Sequence, residues 1–349
     1  MSIDSVMPDL LAMHRLCLNE SPFGPLPAVT AALRHSITQV NRYPDFYPDR
    51  LAGLIAGRLG ISADRVAVGS GSVGVALQLF EAVTEPGDGI VYSWRNFDAY
   101  PLLARMVRAR AAEVPLRPDG RQDLGAMAGA VDRATKVVVL CNPHNPTGTL
   151  ITRQDLTAFL DQVPQNVVVV LDEAYIEFAR GPDVPDGLDL IASHPNLVVL
   201  RTFSKAHGLA ALRVGYGLAS PRLTAEISSR QLPFGVNSLA FRAVEASLDA
   251  AAELRQRIDT VLAERDRLAG LLRLAGRHVP PSHANFLWLA EPDLAEQHQA
   301  ALAQAGVLAR CYPGEGIRLT IGDRNANNAV LTGLESSRAA ASAQDALKG

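Results

Sequence analysis

Lysine is nearly absent from this chain. Of 33 basic residues only three are lysines, Lys136, Lys205 and Lys348, and the rest are arginine. Arginine keeps its charge in proteins and is a poor nucleophile, so chemistry that needs a free amine has three side-chain candidates. Lys348 stands next to the last residue, where chains fray, and Lys136 precedes the apolar run Val137-Val138-Val139-Leu140 as a charge at the start of a strand. Lys205 remains. Cysteine is scarce as well. Cys17, Cys141 and Cys311 are far apart and odd in number, which excludes a disulfide framework, gives no metal-ligand spacing and points to a reducing, cytoplasmic setting. No apolar run reaches the length of a membrane span, and Met1–Met13 lacks the charged start and apolar centre of a signal peptide. The formal net charge is -3 with no basic block, which argues against nucleic acid as a partner.

What is present is a globular composition, 48% hydrophobic and 20% charged over 349 residues, enough for one large core or two smaller ones. From Val66 onward short apolar runs alternate with amphipathic stretches. Strands are expected at Val66–Val68, Ile90–Tyr92, Ala112–Pro115, Val137–Cys141, Val167–Leu171, Leu197–Phe203 and Val214–Ala219, several of them apolar at nearly every position. Helices are expected between them, at Val73–Val83, Tyr100–Arg108, Thr152–Gln162 and Leu188–Ser193. This is the pattern of an α/β domain with a mostly parallel sheet buried on both faces. After about residue 240 the texture changes. A long charge-rich helical stretch, Ser238–Ala275, broken once, precedes strands at Asn285–Leu289, Val307–Arg310 and Gly316–Ile321 and helices at Leu294–Ala305 and Ala326–Ser337. The division expected is a large α/β domain over 41–240 and a small α+β domain from 241–349, with 1–40 as a proline-rich, loop-like arm. The charge run Glu253–Arg267 reads as a solvated helix face.

Four segments carry candidate chemistry. In Arg201-Thr-Phe-Ser-Lys-Ala-His-Gly-Leu-Ala-Ala-Leu-Arg213 a strand ends in a hydroxyl-rich turn, followed by Lys205 and, eight residues on, Arg213. A lysine among cationic groups and shielded from water loses proton affinity, and its amine can then form a Schiff base. Thr202, Ser204 and Arg213 can donate to a phosphate. A surface lysine in a strand-to-helix turn is the plain alternative. Asp172-Glu-Ala-Tyr175 follows the run Val167–Leu171, which puts Asp172 at the carboxyl edge of the sheet, where open α/β sheets bind ligands. Pyridoxal chemistry needs a carboxylate there to keep a pyridine nitrogen protonated; a helix N-cap is the alternative. Tyr175 and Asn145, the latter in the rigid loop Cys141-Asn-Pro-His-Asn-Pro-Thr-Gly148, could reach a ring oxygen. Finally, Gly69-Ser-Gly-Ser-Val-Gly74 lies between a strand and a helix. Its glycines, Gly71 among them, let backbone amides approach an anion at the helix N-terminus. No acidic residue ends a second strand about 20 residues later, as a nicotinamide site requires.

Taken together, these segments resemble the fold-type-I aminotransferases, and within them the histidinol-phosphate and aromatic-amino-acid group. The resemblance runs from about Leu16 to Leu334. It rests on Asn142-Pro-His-Asn-Pro-Thr-Gly148, Asp172-Glu-Ala-Tyr175 and Ser204-Lys-Ala-His-Gly-Leu-Ala-Ala-Leu-Arg213, supported by Asn19-Glu-Ser-Pro22, Asn41-Arg-Tyr-Pro44 and Gly316-Ile-Arg318. It implies pyridoxal 5'-phosphate as cofactor, no metal, and transfer of an amino group from a small donor to a 2-oxo acid. By the same resemblance Lys205 carries the cofactor and shuttles the proton, Asp172 pairs with the pyridine nitrogen, and Asn145 and Tyr175 hold the ring oxygen. Phe97 in Trp94-Arg-Asn-Phe-Asp-Ala-Tyr100 stacks on the ring. Gly71, Ser72, Val73, Thr202, Ser204 and Arg213 surround the phosphate, and Arg318 clamps a substrate carboxylate or phosphate. Tyr43 crosses to the neighbouring site of a homodimer. Asn19, Phe23 and His207 are expected near the substrate.

The sequence departs from the family at three of these positions. His207 stands where an aromatic residue is usual, Phe23 where a tyrosine is usual and Ala211 where a glycine is usual. His207, two residues from Lys205, is expected to reach the proton-transfer zone or to be a ring-for-ring exchange. These departures keep a second chemistry open on the same fold: decarboxylation, oxidative deamination or β-elimination of an amino acid. A non-enzymatic scaffold is a third reading, opposed by the intact Lys205, Asp172, Asn145 and Arg213. His144, His278 and His283 read as loop histidines.

Overall fold

The computed structural model describes residues 13–346. In chain order the strands are β1 (His14–Leu16), β2 (Val66–Gly69), β3 (Gly89–Trp94), β4 (Arg110–Pro115), β5 (Thr135–Cys141), β6 (Val168–Asp172), β7 (Leu197–Thr202), β8 (Gly215–Leu218), β9 (Phe286–Leu289), β10 (Val307–Tyr312) and β11 (Gly316–Thr320). Seven of them form one sheet in the order β2-β8-β7-β6-β5-β3-β4. Within it only β8 is reversed, pairing antiparallel with β2 and β7.

The all-apolar runs form its centre because both faces are covered. Val137, Val139, Val168, Val170, Val198 and Leu200 face a layer with Val75, Leu79 and Phe80 from helix Gly71–Val83 and Leu223 and Ile227 from helix Pro221–Ser228. The alternating set Val138, Leu140, Val169, Leu171, Leu197 and Val199 faces the other way, with Leu156, Phe159 and Leu160 of helix Arg153–Gln162. Burying each such side chain contributes roughly 1.5–3 kcal/mol before the entropy of ordering is counted. The parallel direction brings the turns after β2, β3, β5, β6 and β7 to one edge, and every motif identified in the large sheet sits there.

The second sheet has the order β1-β10-β11-β9. β1 runs parallel to β10, and the other pairs are antiparallel. Helices Ala295–Gln304 and Arg324–Ala346 cover it, with Leu302, Val330 and Leu334 buried.

Two expectations need correction. The first 40 residues are not all loop. Among those described, His14–Leu16 is a strand of the small sheet, and Pro27–Ser36 is a helix packed on helix Ser238–Asp249. The prolines read as breakers lie before this helix or at its first position, where the missing N–H costs nothing. The charge run Glu253–Arg267 is likewise not simply a solvated face. The long stretch breaks at Ala250, and its second helix, Ala251–Leu274, buries Leu254, Ile258, Val261, Leu262 and Arg265. Arg265 donates to the carbonyls of Phe178 and Ala284, so its charged head has partners inside the protein.

Candidate active site

Five turns converge on one cavity of about 210 Å³. Its walls include Ser72 and Val73 from the turn after β2, Phe97 after β3, Cys141 and Asn145 after β5, Asp172, Ala174 and Tyr175 after β6, and Thr202, Ser204, Lys205 and Arg213 after β7. Leu18 and Glu20 close it from the N-terminal segment.

Asp172 is the last residue of β6 and is buried. No helix starts there, so it is not an α-helix N-cap; a 3₁₀ turn follows only at Ile176–Phe178. One carboxylate oxygen accepts the Tyr100 hydroxyl at 2.5 Å and the other the backbone N–H of Ala174 at 3.1 Å. Among the described residues no basic side chain hydrogen-bonds it. Burial therefore raises its pKa, opposed chiefly by the Tyr100 hydrogen bond. Tyr100, on helix Ala99–Met106, was not assigned a role from sequence. Its signal was only that it closes the Trp94–Tyr100 segment.

Lys205 is half-buried, and its amine donates to the Leu18 carbonyl at 2.9 Å. Burial first, then the charges of Arg318 and Arg213, lower its pKa to about 8. A backbone carbonyl partner carries no sequence signal.

Beside it lies a cradle of donors. The Thr202 hydroxyl donates to Ser204 Oγ at 3.0 Å and accepts the Ser204 N–H at 3.1 Å, while Arg213 donates to Ser204 Oγ at 3.3 Å and to the Ala210 carbonyl at 2.9 Å. Arg213 has φ 51°, a left-handed conformation uncommon outside glycine. Helix Gly71–Val83 starts against it with free amide hydrogens. Glycine is required here: a Cβ on Gly71 would lie 2.5 Å from the Arg213 guanidinium, and one on Gly215 would lie 2.3 Å from the Ser72 nitrogen.

Arg318 of β11 is buried. It donates to Asn145 Oδ1 at 2.5 Å and to the Cys17 carbonyl at 2.6 Å, while its Nε has no partner. Asn19 is also buried and donates to the Tyr175 hydroxyl at 3.0 Å. Phe23 lines a neighbouring recess that shares Glu20, Ser204 and Ala210 with the cavity. Arg318, Asn19 and Gly71 stand behind lining residues and do not themselves line the cavity, and neither do His207 and Tyr43. His207 Nδ1 meets Ser247 Oγ at 2.7 Å, its ring packs edge-on to Phe203, and burial lowers its pKa to about 4. Tyr43 is 83% exposed, stacked on Phe234 at 4.8 Å.

The site thus combines an amine of lowered proton affinity, a buried carboxylate lacking a cationic partner, and an anion cradle at a helix N-terminus. Pyridoxal 5'-phosphate has the complementary groups, an aldehyde, a basic ring nitrogen and a phosphate, and the residues fit it. No group of three or more potential metal ligands occurs among the described residues.

Comparison with known proteins agrees with the chemistry of the site. The family "Aminotransferase class I and II" matches residues 12–334. An aromatic amino acid aminotransferase of Streptomyces avermitilis is 45% identical over 318 residues, covering 91% of this chain and 89% of its own length. One from Thermobifida fusca is 46% identical, with coverages of 91% and 88%. Histidinol-phosphate aminotransferase from Sinorhizobium meliloti, solved in complex with pyridoxal 5'-phosphate, superposes with TM-score 0.85 at 28% identity, over 93% of this chain and 91% of that one.

Proposed function

Since the chain belongs to the aminotransferases of classes I and II and is a pyridoxal-phosphate enzyme of that family, we propose that it takes its amino group from an aromatic L-amino acid and gives it to a 2-oxo acid. The cofactor, when bound, supplies the electron sink. The chain supplies attachment, proton transfer and orientation. Lys205 holds the cofactor and moves the proton between donor carbon and cofactor carbon, and a pKa of about 8 leaves part of its amine neutral near physiological pH. Asp172 keeps the ring nitrogen protonated. A cation seated against this carboxylate would oppose the effect of burial on its pKa, and the Tyr100 hydroxyl fixes its direction. Asn145 and Tyr175 hold the ring oxygen and Phe97 covers one ring face.

Gly71, Ser72, Val73, Thr202, Ser204 and Arg213 take the phosphate. Arg318 binds the substrate carboxylate, a group that its planar guanidinium suits. Asn19 steadies Tyr175, and Phe23 lines the path of the donor's side chain. Tyr43 serves the site of a second copy in a homodimer. Support for this is its exposure within an aromatic group formed with Phe46, Tyr47 and Phe234. A cytoplasmic setting is supported by three free cysteines. No helix among the described residues is long and apolar enough to cross a membrane.

The observation that carries the reading is that Lys205 and the uncompensated Asp172 face one cavity. The test is the visible spectrum of the purified protein with L-phenylalanine, L-tyrosine or histidinol phosphate added separately. Bleaching by an aromatic amino acid, reversed by a 2-oxo acid, supports the proposal. Bleaching by histidinol phosphate alone replaces the donor. Release of carbon dioxide, of ammonia with a 2-oxo acid, or of peroxide replaces the reaction.

A further inference from the structure

Behind the cavity, on the side away from solvent, lies a buried polar group that the proposed chemistry does not use. It begins where two strands part. β3 and β5 pair as far as Tyr92 and Val139. Beyond that point Cys141 directs its backbone N–H and carbonyl toward the gap, where they would be orphaned. The side chain of Gln122 fills it, donating Nε2 to the Cys141 carbonyl at 2.8 Å and accepting the Cys141 N–H at 3.1 Å. On the β3 side, Ser93 Oγ reaches the same Gln122 oxygen at 3.3 Å and accepts Asn96 Nδ2 at 3.0 Å, and Asn96 Oδ1 accepts the backbone N–H of Phe97 at 2.7 Å. On the β5 side, His144 stands between the two prolines of the Asn145 loop. Its Nδ1 meets Thr147 Oγ1 at 2.8 Å and its Nε2 meets Ser93 Oγ at 3.4 Å. Ser93, Asn96 and His144 are fully buried.

Gln122 joins the two strand ends, and His144, one residue before Asn145, joins the Asn145 loop itself to Ser93 at the start of the segment bearing Phe97. Burial lowers the His144 pKa to about 3, against a hydrogen bond to the Arg95 backbone that raises it, so the ring is neutral near pH 7. A neutral imidazole offers one donor and one acceptor, which suits a fixed link between two hydroxyls. Its position in the chain, between Pro143 and Pro146, leaves the loop little freedom once the ring is held.

We propose that His144 is a positioning residue: it sets Asn145 against Phe97 across the cavity, and so fixes the plane of the cofactor ring without touching it. The inference rests on the cofactor roles given above to Asn145 and Phe97. A displacement of about 1 Å at a reacting centre costs up to about a hundredfold in rate, so a link of this kind acts on kcat more than on donor KM.

The variants are His144→Phe, which keeps a ring and removes both nitrogens, and His144→Gln, which restores a donor and an acceptor. For holoenzyme we expect His144→Phe to lower kcat roughly tenfold to a hundredfold, with a much smaller change in donor KM and a weakened circular dichroism of the bound cofactor. His144→Gln should recover most of both signals. Unchanged circular dichroism and kcat in His144→Phe overturns the inference, as does an equal loss in both variants. If His144→Phe fails to fold, Ser93→Ala decides. It cuts the same link from the other strand and should weaken the cofactor dichroism; an unaltered signal overturns the proposal. Wild-type protein with no cofactor signal at all would instead overturn the functional reading on which this one stands.

Discussion

Asp172 and Glu173 are consecutive, acidic and buried, yet their surroundings differ in kind. Glu173 bonds the Arg201 guanidinium at 2.7 Å and accepts the Gly187 N–H at 2.9 Å, and Arg201 also reaches Asp186 at 2.6 Å. Burial still raises the Glu173 pKa, but a cation inside the chain opposes that shift directly. Asp172 receives one hydroxyl and one backbone N–H and no cation. Leaving a carboxylate buried without a cation is costly. The contrast separates a carboxylate paired with a cation of the chain from one without such a partner, the one we propose meets the positive charge of a ligand.

The comparison can be broken most sharply through the amine on the other wall. Lys205→Ala is expected to abolish turnover, a loss exceeding the roughly 10²–10⁴-fold of a single proton-transfer group; substantial remaining turnover would refute the roles given to this cavity. Asp172→Ala comes next, with kcat lower by about 10²–10³-fold, the scale of losing one preorganised electrostatic contact, and with some cofactor still bound by spectrum. Glu173→Gln should do the reverse. It leaves Arg201 buried with a weakened partner, at a cost of up to about 3–5 kcal/mol read by thermal unfolding, while the spectrum of bound cofactor persists. Tyr100→Phe, which removes one hydrogen bond to a buried carboxylate worth about 1.5–3 kcal/mol, is expected to lower kcat by about tenfold and the melting temperature by a few degrees. The smallest effect belongs to Asp186→Asn, below about 1 kcal/mol, because half-exposed ion pairs are screened. The lysine also gives a pH test. Its amine is protonated below its lowered pKa, so covalent uptake of cofactor by apoprotein should quicken as pH rises through about 8, well short of an ordinary lysine near 10.5.

Much of the fold was legible because β5, β6 and β7 are apolar at nearly every position, a pattern that only a strand covered on both faces satisfies. Strand ends then placed Asp172, Asn145 and Lys205 at one edge without any coordinates. Other features left no local trace. Tyr100 and Asp172 meet across 72 residues of sequence, and nothing in either segment names the other. The Leu18 carbonyl that holds Lys205 is backbone and could belong to any residue type. The sequence position of His207 allows either a place in the proton-transfer zone or a ring-for-ring exchange. It lies two residues from Lys205, but the turn between them carries its ring to Ser247 instead of the cavity. The helix Pro27–Ser36 is masked in the sequence by the prolines at and before its first turn, which look like breakers unless their position is considered.

One short strip of chain ties the two sheets together at the cavity. The Cys17 carbonyl accepts Arg318 of β11, the Leu18 carbonyl accepts Lys205, and Asn19 bonds Thr320 of β11 through its backbone N–H and Tyr175 through its side chain. Successive residues thus grip the small sheet and the large sheet in turn. The strip is a common tether: Arg318 on the small sheet and Lys205 on the large one are each held by the carbonyl of one of two adjacent residues, so a single peptide unit of chain joins their anchoring points.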